Sequence, residues 1–264
     1  TFNIIGWNSS YTRLSIPAEE MREWVDYTVE RILSFRPSRV LEIGCGTGLL
    51  LFRIAPHCTQ YYGTDISQVI LHQLQQELTR SGQNLPQVAL TQRTADDFDG
   101  IATASFEMVI LNSVIQYFPN IGYLLRVLEG AVDAVAPGGL IFVGDVRSLP
   151  LLETFHASVQ LHQALGSLTT LQFQQWVQKF ITQEHELVID PTFFLALKRY
   201  IPNISHVEIH LKRGRYHNEL TKFRYDVILH VGAAIHPIID MPWLDWQKEQ
   251  LTVSAVRQML LEAK

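Results

Sequence analysis

The 264 residues are 47% hydrophobic and 18% charged, the composition of a globular chain with apolar material for one large core or two small ones. A formal charge of -5 and a pI near 6.0 argue against a polyanion binder, which clusters cations along the phosphate backbone, so no nucleic-acid partner is expected. Cys45 and Cys58 are the only cysteines and form no C-x-x-C pair, which excludes a disulfide framework and a zinc site and gives the expectation of no metal. Within residues 1–35, Trp7, Tyr11 and Asn8-Ser9-Ser10 lead into Ser15-Ile16-Pro17-Ala18-Glu19-Glu20, a helix start with Ser15 as cap, proline in the first turn and acids after it. A lid or packing helix is predicted over about 17–34, with Met21, Trp24, Val25, Thr28, Ile32 and Leu33 on one face.

Val40-Leu41-Glu42-Ile43-Gly44-Cys45-Gly46-Thr47-Gly48 reads as a strand running into three glycines at every second position, with a helical pattern resuming over Leu49–Ala55. Such a loop lets a ligand lie against backbone, because glycine supplies unusual dihedrals and no Cβ, and the helix start behind it leaves N–H groups free. A dinucleotide fingerprint would need glycine where Leu49 or Leu51 stands, and no Gly-Lys-Ser/Thr follows, so neither a dinucleotide site nor a P-loop fits. The pattern Glu-x-Gly-x-Gly-x-Gly resembles motif I of the class I S-adenosylmethionine-dependent methyltransferases. That resemblance implies an α/β, Rossmann-like, seven-stranded and mostly parallel sheet with an antiparallel last strand. It implies S-adenosylmethionine as cofactor and S-adenosylhomocysteine as product, with Glu42, Gly44, Cys45, Gly46 and Gly48 in the cofactor loop.

Gln60–Asp65 reads as a second strand ending in an acid, placed so that two carboxylate oxygens meet a ribose diol, with Ile66 beside it. A helix over about 67–81 follows, then a third strand, Val88–Gln92, leading into Thr94-Ala95-Asp96-Asp97-Phe98. In the family an acid after this strand reaches the adenine amino group, which the resemblance assigns to Asp96 or Asp97, with Phe98 adjacent. Residues 106–113 resemble the family's fourth strand, with Asn112 and Ser113 at the carboxyl edge where open α/β sheets place ligands, and Gln116 and Tyr117 one turn on. Ala136-Pro137-Gly138-Gly139 reads as the turn before a fifth strand, Leu140–Asp145, and five strand–helix alternations imply a parallel doubly wound sheet.

The SAM-binding core is expected over 36–147, an inserted helical cap over the acceptor site at 148–203, closing strands at 204–232, and a linker or docking tail at 233–264 carrying His236, Trp243 and Trp246. Residues 206–212 and 223–230 alternate at period two, as the last two strands of such a fold would. Methyl transfer needs alignment of acceptor, methyl and sulfur, and disposal of the acceptor's proton. His156, just past the fifth strand, and Glu219, between the closing strands, are the expected base and its orienting carboxylate. His217 competes as the base, and Tyr11 is a candidate hydrogen-bond donor to the acceptor. Lys212, Arg213, Arg215, Lys222 and Arg224 suggest a basic rim for an acidic carrier.

Gly6-Trp7-Asn8-Ser9-Ser10-Tyr11, Met21-Arg22-Glu23-Trp24-Val25, Val146-Arg147-Ser148-Leu149-Pro150-Leu151-Leu152-Glu153, Leu211-Lys212-Arg213-Gly214 and Asn218-Glu219-Leu220-Thr221 together resemble the methyltransferase domains of modular polyketide synthases and non-ribosomal peptide synthetases. The resemblance implies an acyl or peptidyl carrier protein with a phosphopantetheine-linked chain as partner, alongside neighbouring synthase domains. Oxygen, as a β-hydroxyl, is the favoured acceptor because His156 and Glu219 offer the base an alcohol needs. Nitrogen of an aminoacyl or peptidyl thioester is the alternative, and a non-catalytic cofactor-binding scaffold is the third reading. No apolar run long enough to span a membrane and no leader is read, and the chain starts at Thr1, which leads to the expectation of a cytoplasmic segment of a longer protein.

Overall fold

A computed structural model describes residues 2–80, 82, 85–164, 169–232 and 244–262. The first helix, α1 (Ala18–Ser34), buries Met21, Trp24, Val25, Thr28, Val29 and Ile32, the face predicted from its spacing. Its cap position is Pro17 and not Ser15; no side chain caps it, and the start is set by the proline's fixed φ and by Glu19 and Glu20 against the helix dipole. Then follow β1 (Arg39–Ile43), α2 (Leu51–Ile54), β2 (Gln60–Asp65), α3 (Gln68–Arg80), β3 (Val88–Gln92), β4 (Phe106–Asn112), α4 (Ile121–Ala134) and β5 (Val135–Arg147). The chain continues through α5 (Leu152–Gln163), α6 (Thr170–Thr182), α7 (Pro191–Tyr200), β6 (Ile204–Leu211), α8 (Glu219–Lys222), β7 (Arg224–Val231) and α9 (Val253–Glu262).

The seven strands form one sheet in the order β3-β2-β1-β4-β5-β7-β6, parallel from β3 to β5, with β7 antiparallel to both β5 and β6. This is the class I methyltransferase fold. The order reverses between β1 and β4, so a crevice opens beyond their carboxyl ends, where β1 enters the glycine loop and β4 ends at Asn112. Successive residues of the central strands face opposite layers: Val40, Met108, Ile110 and Phe142 pack with α1, α2 and α3, whereas Leu41, Val109, Leu111 and Val143 pack with α4 and α7. Burial on both faces explains why these strands read as continuous apolar runs.

Three expectations change. The helix after the glycine loop is one turn, Leu51–Ile54, passing into a tighter turn at Ala55–His57 with Pro56 inside it, so the loop's own backbone shapes the site. Between β3 and β4 no helix forms; the polar, Asp- and Gly-bearing stretch 93–105 crosses as turns. The Pro137-Gly138-Gly139 segment is a bulge inside a longer β5, since Phe106 pairs with Val135 and Met108 already pairs with Leu140. Of the three helices found in the segment expected as a helical cap, α5 and α6 pack on each other, while α7 buries Phe194 and Leu197 against the sheet.

The chain divides into two compact units, Thr1–Ala233 and Ala234–Lys264. The second holds α9, whose Val253, Leu260 and Leu261 are exposed, and Trp246, also exposed. His236 and Trp243 lie outside the described residues. Among the described residues no helix is long and apolar enough to cross a membrane, and no group of three or more His, Cys, Asp or Glu could hold a metal ion.

Candidate active site

Two cavities open at the carboxyl edge of the sheet. The smaller, about 200 Å³, is walled by the glycine loop from Gly44 to Thr47, by Glu42, and by Asn112 and Ser113. Gly46 sits at φ +50, and a Cβ there would meet nothing within 4 Å, so the loop presents bare backbone to open space. Its N–H donates to Asp65 Oδ2 (3.0 Å), and Ser67 N–H donates to Oδ1 (2.8 Å), which fixes the acid at the end of β2 beside the loop. Glu42 is buried, and burial pushes its carboxyl up to about 8 despite the hydrogen bond donated by Tyr61 (2.7 Å), with Asp65 adding to the rise. The Asn112 carbonyl oxygen is buried without a partner, and a side chain at Gly144 would collide with it. Burial keeps the Cys45 thiol well above its usual range, so it lines the loop without being reactive.

A carboxylic acid poised to ionise, an acid bonded to the loop, an unpaired amide oxygen and a loop with room above it fit S-adenosylmethionine, which carries an amino-acid end, a diol and a sulfonium. Glu42, Asp65, Asn112 and the loop backbone would hold it. Asp65, bonded to the loop at Gly46, is not on this cavity's wall, and neither are Gly48, Ile66, Asp96, Asp97 and Phe98. Ile66 is exposed beyond Asp65, while Asp97 takes an ion pair from Arg93 (3.2 Å). Asp96 meets Arg126 (3.4 Å) and bonds Tyr123; burial opposes its ionisation but these hydrogen bonds hold it below the usual carboxylate range. Phe98 turns inward and packs on Gly130 of α4, contrary to its expected place against the cofactor, because an aromatic ring beside the α4 layer gains more by joining the core.

The larger cavity, about 570 Å³, shares Ile5, Trp7 and Ser113 with the smaller as common walls. His156 and Glu219 both line it, but they do not pair with each other. Glu219 accepts from Ser10 N–H (2.8 Å), Ser10 hydroxyl (2.8 Å) and Ser9 hydroxyl (3.3 Å), so it latches the amino-terminal segment over the site. His156 Nε2 instead lies 3.3 Å from Glu184, a residue the sequence did not single out, without the alignment of a hydrogen bond. Glu184 is held by Arg147 (2.7 Å), which also reaches Glu186 (2.9 Å). Burial opposes its ionisation, yet the Arg147 bond and charge hold Glu184 down at about 2. Burial lowers the His156 pKa, Glu184 works against that and Arg147 adds to it, so the imidazole is neutral near pH 7.

Tyr11 does not line the cavity: its hydroxyl shares a 2.9 Å hydrogen bond with Ser158 of α5, and its ring meets His162 edge-on. His217 is exposed and likewise lies off the cavity wall. Of the five expected rim cations, Lys212 and Arg224 are turned inward, leaving Arg213, Arg215 and Lys222 exposed. Lys212 pairs with Asp226 (2.7 Å) and Arg224 with Asp145. Asp145 is fully buried; burial opposes its charge, but Arg224 and Lys212 hold its pKa below the usual carboxylate range. It accepts from Ser113 hydroxyl (2.7 Å) and Trp24 indole (3.2 Å), fixing one of the three residues that both cavities share. Asp145 (φ 65) and Ser113 (φ 54) both adopt left-handed backbone, strain of about 1–3 kcal/mol each that this network sustains.

Residues 41–141 match the family model described as a methyltransferase domain. With the fold and the cofactor cleft, this makes the chain an S-adenosylmethionine-dependent methyltransferase. In particular, it is 51% identical over 252 residues to chondramide synthase cmdD of Chondromyces crocatus, covering 96% of this chain and 6% of that protein. It is 41% identical over 241 residues to CymA of Salinispora arenicola, a probable non-canonical nonribosomal peptide synthetase, covering 91% of this chain and 3% of that one. The chain therefore spans a small fraction of the curated relatives it matches. Among solved structures it is similar in fold to the N-methyltransferase NodS of Bradyrhizobium japonicum WM9 in complex with S-adenosylhomocysteine, with TM-score 0.51, 16% identity, and 80% and 87% of the two chains covered.

Proposed function

We propose that this chain is the methyltransferase domain of a peptide-assembling synthetase and transfers methyl to the amine nitrogen of an aminoacyl or peptidyl thioester carried on a phosphopantetheine arm. The observation that carries this reading is a cavity of about 570 Å³ that adjoins the cofactor cleft at Ser113 and presents a neutral His156 whose Nε2 makes no hydrogen bond and lies 3.3 Å from Glu184. S-adenosylmethionine supplies an electrophilic methyl on a sulfonium sulfur. The chain's residues must then orient the acceptor, exclude water and take a proton. Trp7, two residues before the serines that Glu219 latches, walls both cavities and screens the transfer line from water. His156 receives the proton at Nε2, and the Glu184 carboxylate 3.3 Å away stabilises the imidazolium formed.

Nitrogen is favoured on two grounds. The relatives named above include a nonribosomal peptide synthetase. In addition, the argument for oxygen needed His156 oriented by Glu219, whose oxygens are taken up by Ser9 and Ser10. An imidazole with a lowered pKa is a weak base; it suffices for an α-amine, which titrates at about 7.7–8 and is partly neutral already, better than for an alcohol. Oxygen is the second reading, supported by the His156–Glu184 pair. Intact-protein mass spectrometry of carrier protein loaded with an aminoacyl or a β-hydroxyacyl group, incubated with this chain and S-adenosylmethionine, separates the two. A one-methyl gain on the aminoacyl carrier alone is expected; a gain on the hydroxyacyl carrier alone rejects the nitrogen reading.

A further inference from the structure

Among the described residues, Gln116 Oε1 and His156 Nε2 are buried side-chain atoms without a hydrogen-bond partner, and both residues line the acceptor cavity. Gln116 is 3% exposed and His156 8%. Gln116 sits in the tight turn Ile115–Tyr117, directly past Ser113. Its carbonyl accepts from Leu187 N–H (2.8 Å), tying the segment that carries Glu184 and Glu186 to the turn that carries the amide. Gln116 is therefore held in place by its backbone while its side-chain oxygen is left unsatisfied. Buried polar atoms almost always find partners; Gln116 Oε1 accepts, and His156 Nε2 accepts in the tautomer that carries its proton on Nδ1, so the two together point to a ligand that brings two donors.

We infer that Gln116 is a specificity-determining residue that accepts one N–H of a primary amine while His156 accepts the other, and that this pairing limits the reaction to a single methyl per nitrogen. The inference rests on the nitrogen reading above. A neutral primary amine has two N–H hydrogens and one lone pair. With both hydrogens engaged on the protein, the lone pair is left to face the methyl. The N–C bond then forms as the S–CH₃ bond breaks, and the sulfur leaves as a neutral thioether. The charge gained by nitrogen is discharged when the hydrogen held by His156 passes to Nε2 as a proton. The hydrogen held by Gln116 stays on the product. A secondary amine has one N–H only, so it leaves one of the two acceptors unpaired and sets a methyl against it. An alcohol has one O–H and leaves the same deficit.

The test uses the full chain, the variants Gln116→Met and Gln116→Glu, and carrier protein loaded with an aminoacyl, an N-methylaminoacyl or a hydroxyacyl group, read by intact mass. Titration with S-adenosylhomocysteine reports whether each variant keeps its cofactor site. The wild type is expected to add one methyl to the aminoacyl carrier and to act on the N-methylaminoacyl carrier slower by on the order of a hundredfold. Gln116→Met is expected to lose roughly ten- to a hundredfold on the aminoacyl carrier, with S-adenosylhomocysteine affinity kept within about threefold, and to lose most of its preference for primary over secondary amine. Gln116→Glu, which keeps an acceptor, is expected to retain the preference. If the wild type methylates only the hydroxyacyl carrier, the nitrogen reading falls and this inference with it. If the wild type methylates the aminoacyl carrier once but Gln116→Met keeps both rate and preference, or if the wild type dimethylates, the inference about Gln116 alone is overturned.

Discussion

The two cavities that meet at Ser113 are built in opposite ways. The cofactor cleft takes most of its wall from one strand–loop segment, Glu42 to Leu50, and from the end of the neighbouring strand at Asn112. Several of its polar groups are tied between the neighbouring strands β1 and β2, as Gly46 to Asp65 and Tyr61 to Glu42. The acceptor cavity draws on segments far apart in the chain, with Trp7 and Ser10 from the amino terminus, Arg147 and His156 from the end of β5 onward, Glu184 beyond α6, and Glu219 at α8. Its charges are joined by long-range pairs, so a change at one segment is felt at another. A site fixed by one backbone segment tolerates remodelling around it, whereas a site assembled from distant segments can change its acceptor by repacking any one of them.

The strongest way to break this division is His156→Ala. It should lower kcat on the order of 10²–10⁴-fold, the usual worth of a positioned proton acceptor, while S-adenosylhomocysteine affinity stays within about threefold. Parallel loss of cofactor binding would show that the cavities do not act separately. Asp65→Ala tests the other side. Loss of the acid that holds Gly46 N–H and faces the ribose position should weaken S-adenosylhomocysteine binding by roughly 10–100-fold in calorimetry, with acceptor selectivity unchanged.

A smaller effect is expected at the latch. Glu219→Ala leaves three donors of Ser9 and Ser10 unpaired and should lower the melting temperature by about 5 °C and raise KM for the carrier more than it lowers kcat. Glu219→Gln, which keeps an acceptor, should recover most of both. The last signal, read as a pH slope and not as a loss of activity, concerns Glu42, whose folded pKa near 8 stands above its ordinary 4.5. The unbound protein should therefore lose stability as pH rises from about 4.5 through 8, and Glu42→Gln should flatten that slope. At pH 7 the carboxyl is protonated, and a cationic cofactor beside it favours ionisation. Binding of S-adenosylmethionine should then release up to about one proton, seen as a buffer-dependent enthalpy that Glu42→Gln abolishes.

The same division decides what could be read from residues alone. Strand positions, the alternation of layers and the register of Asp65 with the glycine loop follow from period-two patterning and local spacing, and the fold shows them where they were expected. His156 and Glu219 both line the larger cavity, but their partners were not legible in the sequence. Glu184 follows a polar helix with no periodic or spacing signal linking it to His156, and Ser10 meets Glu219 across the length of the chain. Asp145 read as the last residue of an apolar strand; only the packing of α1, β6 and β7 around it gathers Trp24, Lys212 and Arg224 onto its carboxylate. Lys212 and Arg224 looked like surface charge because a buried pair and an exposed cation have the same sequence.

The most direct test is a crystal structure of this chain with S-adenosylhomocysteine. The amino-acid end of the ligand is expected against Glu42, the ribose on Asp65, and the sulfur directed past Ser113 into the cavity that holds His156 and Gln116. A ligand lying in the larger cavity, or one whose sulfur faces away from Ser113, would contradict this placement.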